Sequence, residues 1–261
     1  MSQPGSGSGG SYDNNGNMTS SAFGEGTPTS MTSNTVDQLT SSTAPGNPSY
    51  SYDANGNQLT VSGGNSMSYN WLDQTTSSTP NGGSTINATF SGGGQSERNS
   101  NGTTNYRYDG TGLSTSTDSN GNRTAFTNTP DGDVVSENIS VGQLGCMGSG
   151  GAICTYYYLH DGLGSTVALV DSTGTVQNRY AYDPWGNAIA AGTTGSVPNP
   201  FRYAGAMFDS SSGLYKMGER YYDPSIGRFT QLGSLGDGYT YTGDNPVNCD
   251  DVSGLRKHTP C

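Results

Sequence analysis

Gly213-Leu214-Tyr215-Lys216-Met217-Gly218-Glu219-Arg220-Tyr221-Tyr222-Asp223-Pro224-Ser225-Ile226-Gly227-Arg228-Phe229 is the densest stretch of this 261-residue chain. Residue types alternate with period two, aromatic rings cluster, and Asp-Pro and Gly punctuate, the pattern of short strands joined by tight turns. The same texture extends outward from Tyr156 to Leu255. Asp161-Gly162-Leu163-Gly164 and Asp171-Ser172-Thr173-Gly174 read as successive turns around a strand over 166–170, in which Val167 and Leu169 alternate with Thr166, Ala168 and Val170. A further strand is expected over 175–182, ended by Asp183-Pro184-Trp185-Gly186. No heptad and no capped amphipathic run of helical length occurs, so the fold class is all-β.

Five pieces follow one another in this region. They are Tyr158-Leu159-His160-Asp161-Gly162-Leu163-Gly164-Ser165-Thr166, Tyr180-Ala181-Tyr182-Asp183-Pro184-Trp185-Gly186, Asn199-Pro200-Phe201-Arg202-Tyr203-Ala204-Gly205, the stretch quoted first, and Gly243-Asp244-Asn245-Pro246-Val247-Asn248. Together they resemble the core domain of the Rhs, or YD-repeat, family, which includes bacterial Rhs proteins, the C component of insecticidal toxin complexes and the teneurin shell. The resemblance implies antiparallel YD-repeat hairpins that form a partial β-shell or barrel-like wall. It implies structural motif roles for Tyr180, Tyr182, Asp183, Tyr203, Gly205, Tyr215, Arg220, Tyr221, Tyr222, Asp223, Pro224, Gly227, Arg228, Phe229, Asn245 and Pro246.

Upstream the repeats loosen. Tyr50-Ser51-Tyr52-Asp53-Ala54-Asn55-Gly56-Asn57-Gln58-Leu59-Thr60 is the fullest copy. Tyr50 and Tyr52 share a strand face, Asp53 can bond the backbone two residues on, and Asn55-Gly56 supplies positive φ for a hairpin turn. Weaker copies start at Tyr12, Tyr69, Tyr106 and Asp118 at irregular spacing, which suits side-by-side hairpins and not a fixed-period solenoid. Between Gln74 and Thr103 aromatic residues nearly vanish, and a loose connection is expected there. The organisation read from this is a low-complexity, partly ordered segment over 1–45, degenerate repeats over 46–155, the Rhs-repeat-associated core over 156–255 and a short tail over 256–261.

Composition pulls the other way. Leu, Ile, Val and Phe number 34 of 261 residues, below the roughly 20% at which chains tend toward disorder. The counterweight is 17 Tyr, a ring that buries a large apolar face when its hydroxyl finds a partner. A tyrosine-built core is therefore expected, with order rising toward the C-terminus. The net charge of −11, with 10 Lys plus Arg, argues against nucleic acid or an anionic membrane as partner. No apolar run is long enough to span a bilayer as a helix. The first ten residues lack a secretory signal, so either export takes another route or the sequence is a piece of a longer chain.

Cys146 and Cys154 bracket a Gly-rich segment and are the disulfide candidate, a pairing that suits an extracellular or cell-surface protein. Cys249 and Cys261 lack the close pairing a zinc site wants, and no metal or cofactor is expected. The Asp-x-Asn-Gly-Asn runs at Asp13, Asp53 and Asp118 invite a calcium reading. None is followed by a distal carboxylate, so they read as turns. His160, Asp161 and Ser165 do not make a nucleophile elbow. Arg202, Arg220 and Arg228 sit among aromatic rings, where a structural clamp pairing with Asp209, Glu219 or Asp223 is the plainer reading.

The pointed candidate lies at the C-terminal end. In toxin-carrying members this region resembles an aspartyl self-cleaving site with two Asp-Pro-x-Gly motifs, scission following the second motif's Leu. Two carboxyls sharing a proton would perform it. Here the second motif reads Asp251-Val252-Ser253-Gly254-Leu255, and the first has Gly233 where an Asp is expected. The dyad is broken on this reading, and Asp251 and Leu255 remain as its remnant. The function read from the sequence is non-enzymatic: a secreted or surface shell that self-associates through strand edges, pairs with another shell chain, adheres or encloses a polypeptide cargo. The alternatives are the shell part of a toxin-delivery protein without its toxin, and a self-cleaving core.

Overall fold

The computed structural model describes residues 10–21, 28–91, 94–140, 146 and 153–255. The expected tail over 256–261, with His258 and Cys261, and the Gly-rich residues 147–152 lie outside them. The described residues form four antiparallel sheets in which each strand pairs with the next in sequence. The first holds Ser11–Tyr12, Met18–Ser21, Thr29–Ser33 and Leu39–Ser42. The second holds Tyr50–Tyr52, Gln58–Val61, Ser66–Tyr69, Thr75–Thr79 and Ile86–Asn87. The third is nine-stranded and runs from Thr89–Phe90 to Val176–Arg179. The fourth holds Met207–Asp209, Leu214–Met217, Arg220–Asp223 and Arg228–Phe229. No α-helix occurs among the described residues and no sheet closes into a barrel, so the wall is open.

One turn recurs among the hairpins. At Asp13, Asp53, Asp118, Asp161, Asp171 and Asp183 the amide donates to the carbonyl four residues on, and the Gly three residues on donates back to the Asp carbonyl. One carboxylate oxygen of each Asp then accepts the amides two and four residues on. The turn differs from the two-residue hairpin expected at Asn55-Gly56, because Gly56 alone of the pair has positive φ, at 89°. The Asp53 carboxylate holds the Asn55 amide and leaves the left-handed position to the glycine, with a register shift in the flanking strand. Asn34-Thr35-Val36-Asp37-Gln38 and Asn70-Trp71-Leu72-Asp73-Gln74 copy the design with Asn as the acceptor and Asp37 or Asp73 in the left-handed position. These turns dock in pairs: Asn15 and Asn17 donate to Asp37 Oδ1, and Asn55 and Asn57 donate to Asp73 Oδ1.

One sequence expectation needs correction. The loose connection over 74–103 contains four short strands, with Gln95 buried and donating to the Asp73 and Glu219 carbonyls. Side-chain amides do the ordering there that aromatic rings do elsewhere. Among the described residues of 1–45, Met18, Met31 and Leu39 are buried together with Trp185 and Ile226. Their core is completed by residues almost two hundred positions away, which no local pattern announces.

Every hydrophobic cluster draws on the last hundred residues. Leu113, Phe126 and Ile139 pack with Tyr156, Tyr158, Leu169 and Phe201; Tyr203, Tyr215, Met217, Tyr222, Phe229 and Tyr241 form a ring-rich centre; Met67 packs on Leu214 and Tyr221. Tyrosine supplies the apolar area that scarce aliphatic side chains do not.

Candidate functional site

Asp183-Pro184-Trp185-Gly186 is a keystone. Three buried tyrosines donate to its three successive carbonyls: Tyr203 to Pro184 at 2.7 Å, Tyr222 to Trp185 at 2.8 Å and Tyr215 to Gly186 at 3.0 Å. Gly186 has φ of 90°, and a Cβ there would lie 2.6 Å from the Tyr203 ring, so only glycine fits. Trp185 turns its indole into the cluster of Met18, Met31 and Leu39. Asn187 donates to the Pro224 carbonyl at 2.8 Å. Tyr180 and Tyr182 precede this turn with nearly parallel rings, Tyr182 donating to the Thr166 carbonyl. Gly205 and Gly227 take positive φ, and Asp223 caps its own turn by accepting from Ser225. The Asn245 carbonyl accepts from Asn248 and Cys249, and Pro246 lines an open groove beside Tyr182.

Residues 216–239 hold the other three sheets. Arg228, stacked on Tyr239, donates to Ser33, Asn17 and the Asp37 carbonyl of the first sheet's hairpins. Gln231 donates to the Asp73 carbonyl and Tyr239 to the Gly56 carbonyl of the second sheet's turns. At the third sheet's edge Arg98 pairs with Asp209 at 3.2 Å and donates to Tyr221, while Lys216 Nζ donates to the Ser96 and Gly218 carbonyls. Burial, reinforced by the nearby Arg98 charge, pushes the Lys216 amine down to about 7. The arginine pairings expected from sequence are thereby redistributed. Asp209 serves Arg98, Glu219 accepts from the Gln95 amide, Arg202 lies over Tyr180 and Phe208, and Arg220 pairs with Asp251.

The cleavage-site remnant gathers around Arg220. Its Nη2 lies 3.1 Å from Asp251 Oδ2, both side chains nearly inaccessible, and its Nε donates to the Gly254 carbonyl. The guanidinium rests on the Phe229 ring at 3.6 Å. A Cβ at Gly233 would lie 2.8 Å from Arg220 Nη1, so the two degenerate motifs flank one guanidinium. Position 233 supplies no second carboxyl there. The amide of Glu219 donates to the Ser253 carbonyl at 2.9 Å, and Leu255 is part-exposed. His160 and Ser165 are occupied with backbone: the ring nitrogens meet the Val134 and Gly164 carbonyls, and the Ser165 hydroxyl accepts from Ala204.

Two groups went unnoticed in the sequence. Arg98 stands alone in a Gly/Ser/Asn-rich stretch, with no neighbouring signal. Glu137 shares a phase with Ile139 and pairs with Tyr156 of the adjacent strand, but Val134 and Ser136 are buried as well and Val135 is exposed, so periodicity alone does not mark it. Its carboxyl is fully buried and accepts from Tyr158 at 2.8 Å, and burial pushes it up to about 8. Cys146 and Cys154 are joined by a disulfide with Cα atoms 5.5 Å apart, closing a loop of sequence separation 8 onto the third sheet's core. Reducing it, or replacing both by Ser, is expected to cost about 2–3 kcal/mol for a loop of this size. The check is chemical denaturation with and without reductant, where an unchanged midpoint counts against the expectation.

Residues 149–237 match the family described as Teneurin YD-shell. Among curated relatives, the tRNA(Glu)-specific nuclease WapA of Bacillus subtilis subsp. natto is 40% identical over 109 residues, covering 38% of this chain and 5% of that protein. Salivary gland surface protein 1 of Aedes aegypti is 38% identical over 117 residues, covering 43% of this chain and 3% of that protein. Double-stranded DNA deaminase toxin A of Burkholderia cenocepacia is 32% identical over 108 residues, covering 38% and 8%. The chain thus spans a small fraction of the length of these relatives. Among solved structures, the Photorhabdus luminescens Tc holotoxin pore is similar over 94% of this chain and 16% of that chain, at 18% identity and a TM-score of 0.45.

Proposed function

We propose that the chain is a wall segment of a secreted or cell-surface Rhs-type shell that works by assembly, adhesion or containment and performs no catalysis. The observation that carries this reading is the convergence of Arg228, Gln231, Tyr239, Lys216 and Asp209 on three separate sheets, an arrangement that fixes a wall. The outer edge of Ser11–Tyr12 is solvent-exposed and pairs with no other strand among the described residues. Such an edge is a template for a second copy or another shell chain. Light scattering and negative-stain microscopy of the unreduced chain are expected to show discrete oligomers or filaments. A monomer across the accessible concentration range overturns the self-association.

The second reading, a shell segment of a toxin-delivery protein around a polypeptide cargo, is favoured by the likeness to a WapA nuclease and a deaminase toxin. An adjacent reading frame for a small toxin or its immunity partner would support it. Self-cleavage is the third reading, and it fares worst because Arg220 neutralises Asp251 while position 233 carries no acid. Intact mass spectrometry is expected to show the full chain, unchanged in Asp251→Ala. A fragment ending at Leu255 that disappears in that variant would restore a catalytic reading.

A further inference from the structure

The dipeptide Asn-Gly occurs five times, at Asn15, Asn55, Asn81, Asn101 and Asn120, each time between two paired strands. Asparagine is a thermolabile residue, and a following glycine has no Cβ to hinder attack of its amide on the asparagine side chain. The fold treats the five copies unequally. We infer that Asn81, in the turn Pro80-Asn81-Gly82-Gly83, is a site of spontaneous deamidation, and that docking between hairpin turns shields Asn15 and Asn55 from the same reaction. The step consumes only water. The Gly82 amide nitrogen loses its proton to solvent base and bonds to Asn81 Cγ, the side-chain nitrogen takes up a proton and leaves as ammonia, and a succinimide ring closes. Water then adds to either ring carbonyl and opens it to aspartate or isoaspartate.

Three observations single out Asn81. First, the attacking nitrogen is free. The Gly82 amide makes no hydrogen bond among the described residues, because the turn is closed by the Gly83 amide on the Pro80 carbonyl at 3.0 Å. The amides of Gly16, Gly56 and Gly121 donate to the Asp13, Asp53 and Asp118 carbonyls, and that of Gly102 to the Ser100 hydroxyl. Second, the ring has room to form. Asn81, Gly82 and Gly83 are all exposed, and nothing lies within 4 Å of the place a Gly82 Cβ would take. At Gly56 the Tyr239 hydroxyl would lie 2.7 Å from that place. Third, the Asn81 side chain is held by one exposed bond, to the Gly63 carbonyl at 2.8 Å. Asn15 and Asn55 donate to the carboxylates of Asp37 and Asp73, a stronger, charge-assisted hold. Asn101 accepts the Thr103 and Thr104 amides and donates to Tyr106. Asn120 has a free side chain and a bound glycine amide, which places it second. Conversion of Asn81 sets a carboxylate against the Gly63 carbonyl and frees the turn that carries the last strand of the second sheet, Ile86–Asn87. Conversion of Asn15 or Asn55 would set carboxylate against carboxylate, so the shielding preserves the paired turns. The inference rests on these turns and stands apart from the shell reading.

The test is peptide mapping by mass spectrometry of the full chain, incubated for increasing times in mildly alkaline buffer, both folded and in concentrated urea. In the folded chain Asn81 is expected to deamidate first. Asn15 and Asn55 should follow at least about tenfold more slowly, because each must first open hydrogen bonds on both reacting groups. In urea the five copies share one dipeptide and no fold, so their rates should converge. Asp73→Gly removes the acceptor that holds Asn55, and glycine keeps the left-handed backbone of that position. This variant should accelerate Asn55 and leave Asn15, docked on Asp37, unchanged. Conversion of Asn15 or Asn55 as fast as Asn81 overturns the proposal, as does an Asn81 that stays intact. A ranking that persists in urea would assign it to neighbouring sequence and overturns the proposal too. Equal acceleration of Asn15 and Asn55 in Asp73→Gly would mean that general opening, not docking, sets the rate, and overturns the shielding.

Discussion

Trp185→Ala is expected to lower the unfolding free energy by about 3–5 kcal/mol, the range for removing a large buried ring and leaving a cavity. Trp185 is 3% exposed and packs with Met18, Met31, Leu39 and Ile226, so its loss uncouples the first sheet from the core. The effect should be uneven. Amide exchange in Thr29–Ser42 is expected to accelerate before that in Leu214–Phe229, because the tyrosine bonds to carbonyls 184–186 involve backbone that alanine retains. Trp185→Phe should recover part of the loss. A cost below about 1 kcal/mol, the scale of an ordinary surface change, or uniform acceleration along the chain, would refute the keystone role.

Glu137→Gln is expected to stabilise the protein increasingly as pH rises from about 4.5 to about 8. The folded-state carboxyl titrates near 8, raised from an ordinary 4.5 by burial. Below 4.5 both folded and unfolded states hold the proton and nothing is gained or lost. Between the two values the unfolded state releases its proton while the folded state keeps it, so stability falls by about 1.4 kcal/mol per pH unit from this group. Glutamine keeps an acceptor for Tyr158 and removes the titration. Denaturation midpoints of parent and variant should therefore coincide near pH 4 and diverge at pH 8. Parallel curves across that window would mean that Glu137 is solvated in the folded chain.

The Asp-Gly hairpin turns were legible because their chemistry is local. An Asp that accepts two amides and a Gly at positive φ three residues on leave a short signature, as at Asp161 and Gly164. The copy at Asn34 escaped notice because Asp37 stands in the glycine's place, a substitution that preserves the geometry and erases the pattern. The remnant around Asp251 was legible as a motif, but its single guanidinium was not, since Arg220, Gly233 and Asp251 meet only through folding.

The sequence by itself determined an all-β chain of short antiparallel hairpins with a tyrosine-rich C-terminal core, because alternation and turn chemistry act between near neighbours. Tertiary structure alone decided that residues 10–21 and 28–42 are held in place by Trp185 and Arg228, that Arg98 closes the seam with Asp209, and that Glu137 is buried beside Tyr158. Those contacts join positions up to two hundred residues apart, and each depends on desolvating a polar or aromatic group against a partner that no local spacing identifies.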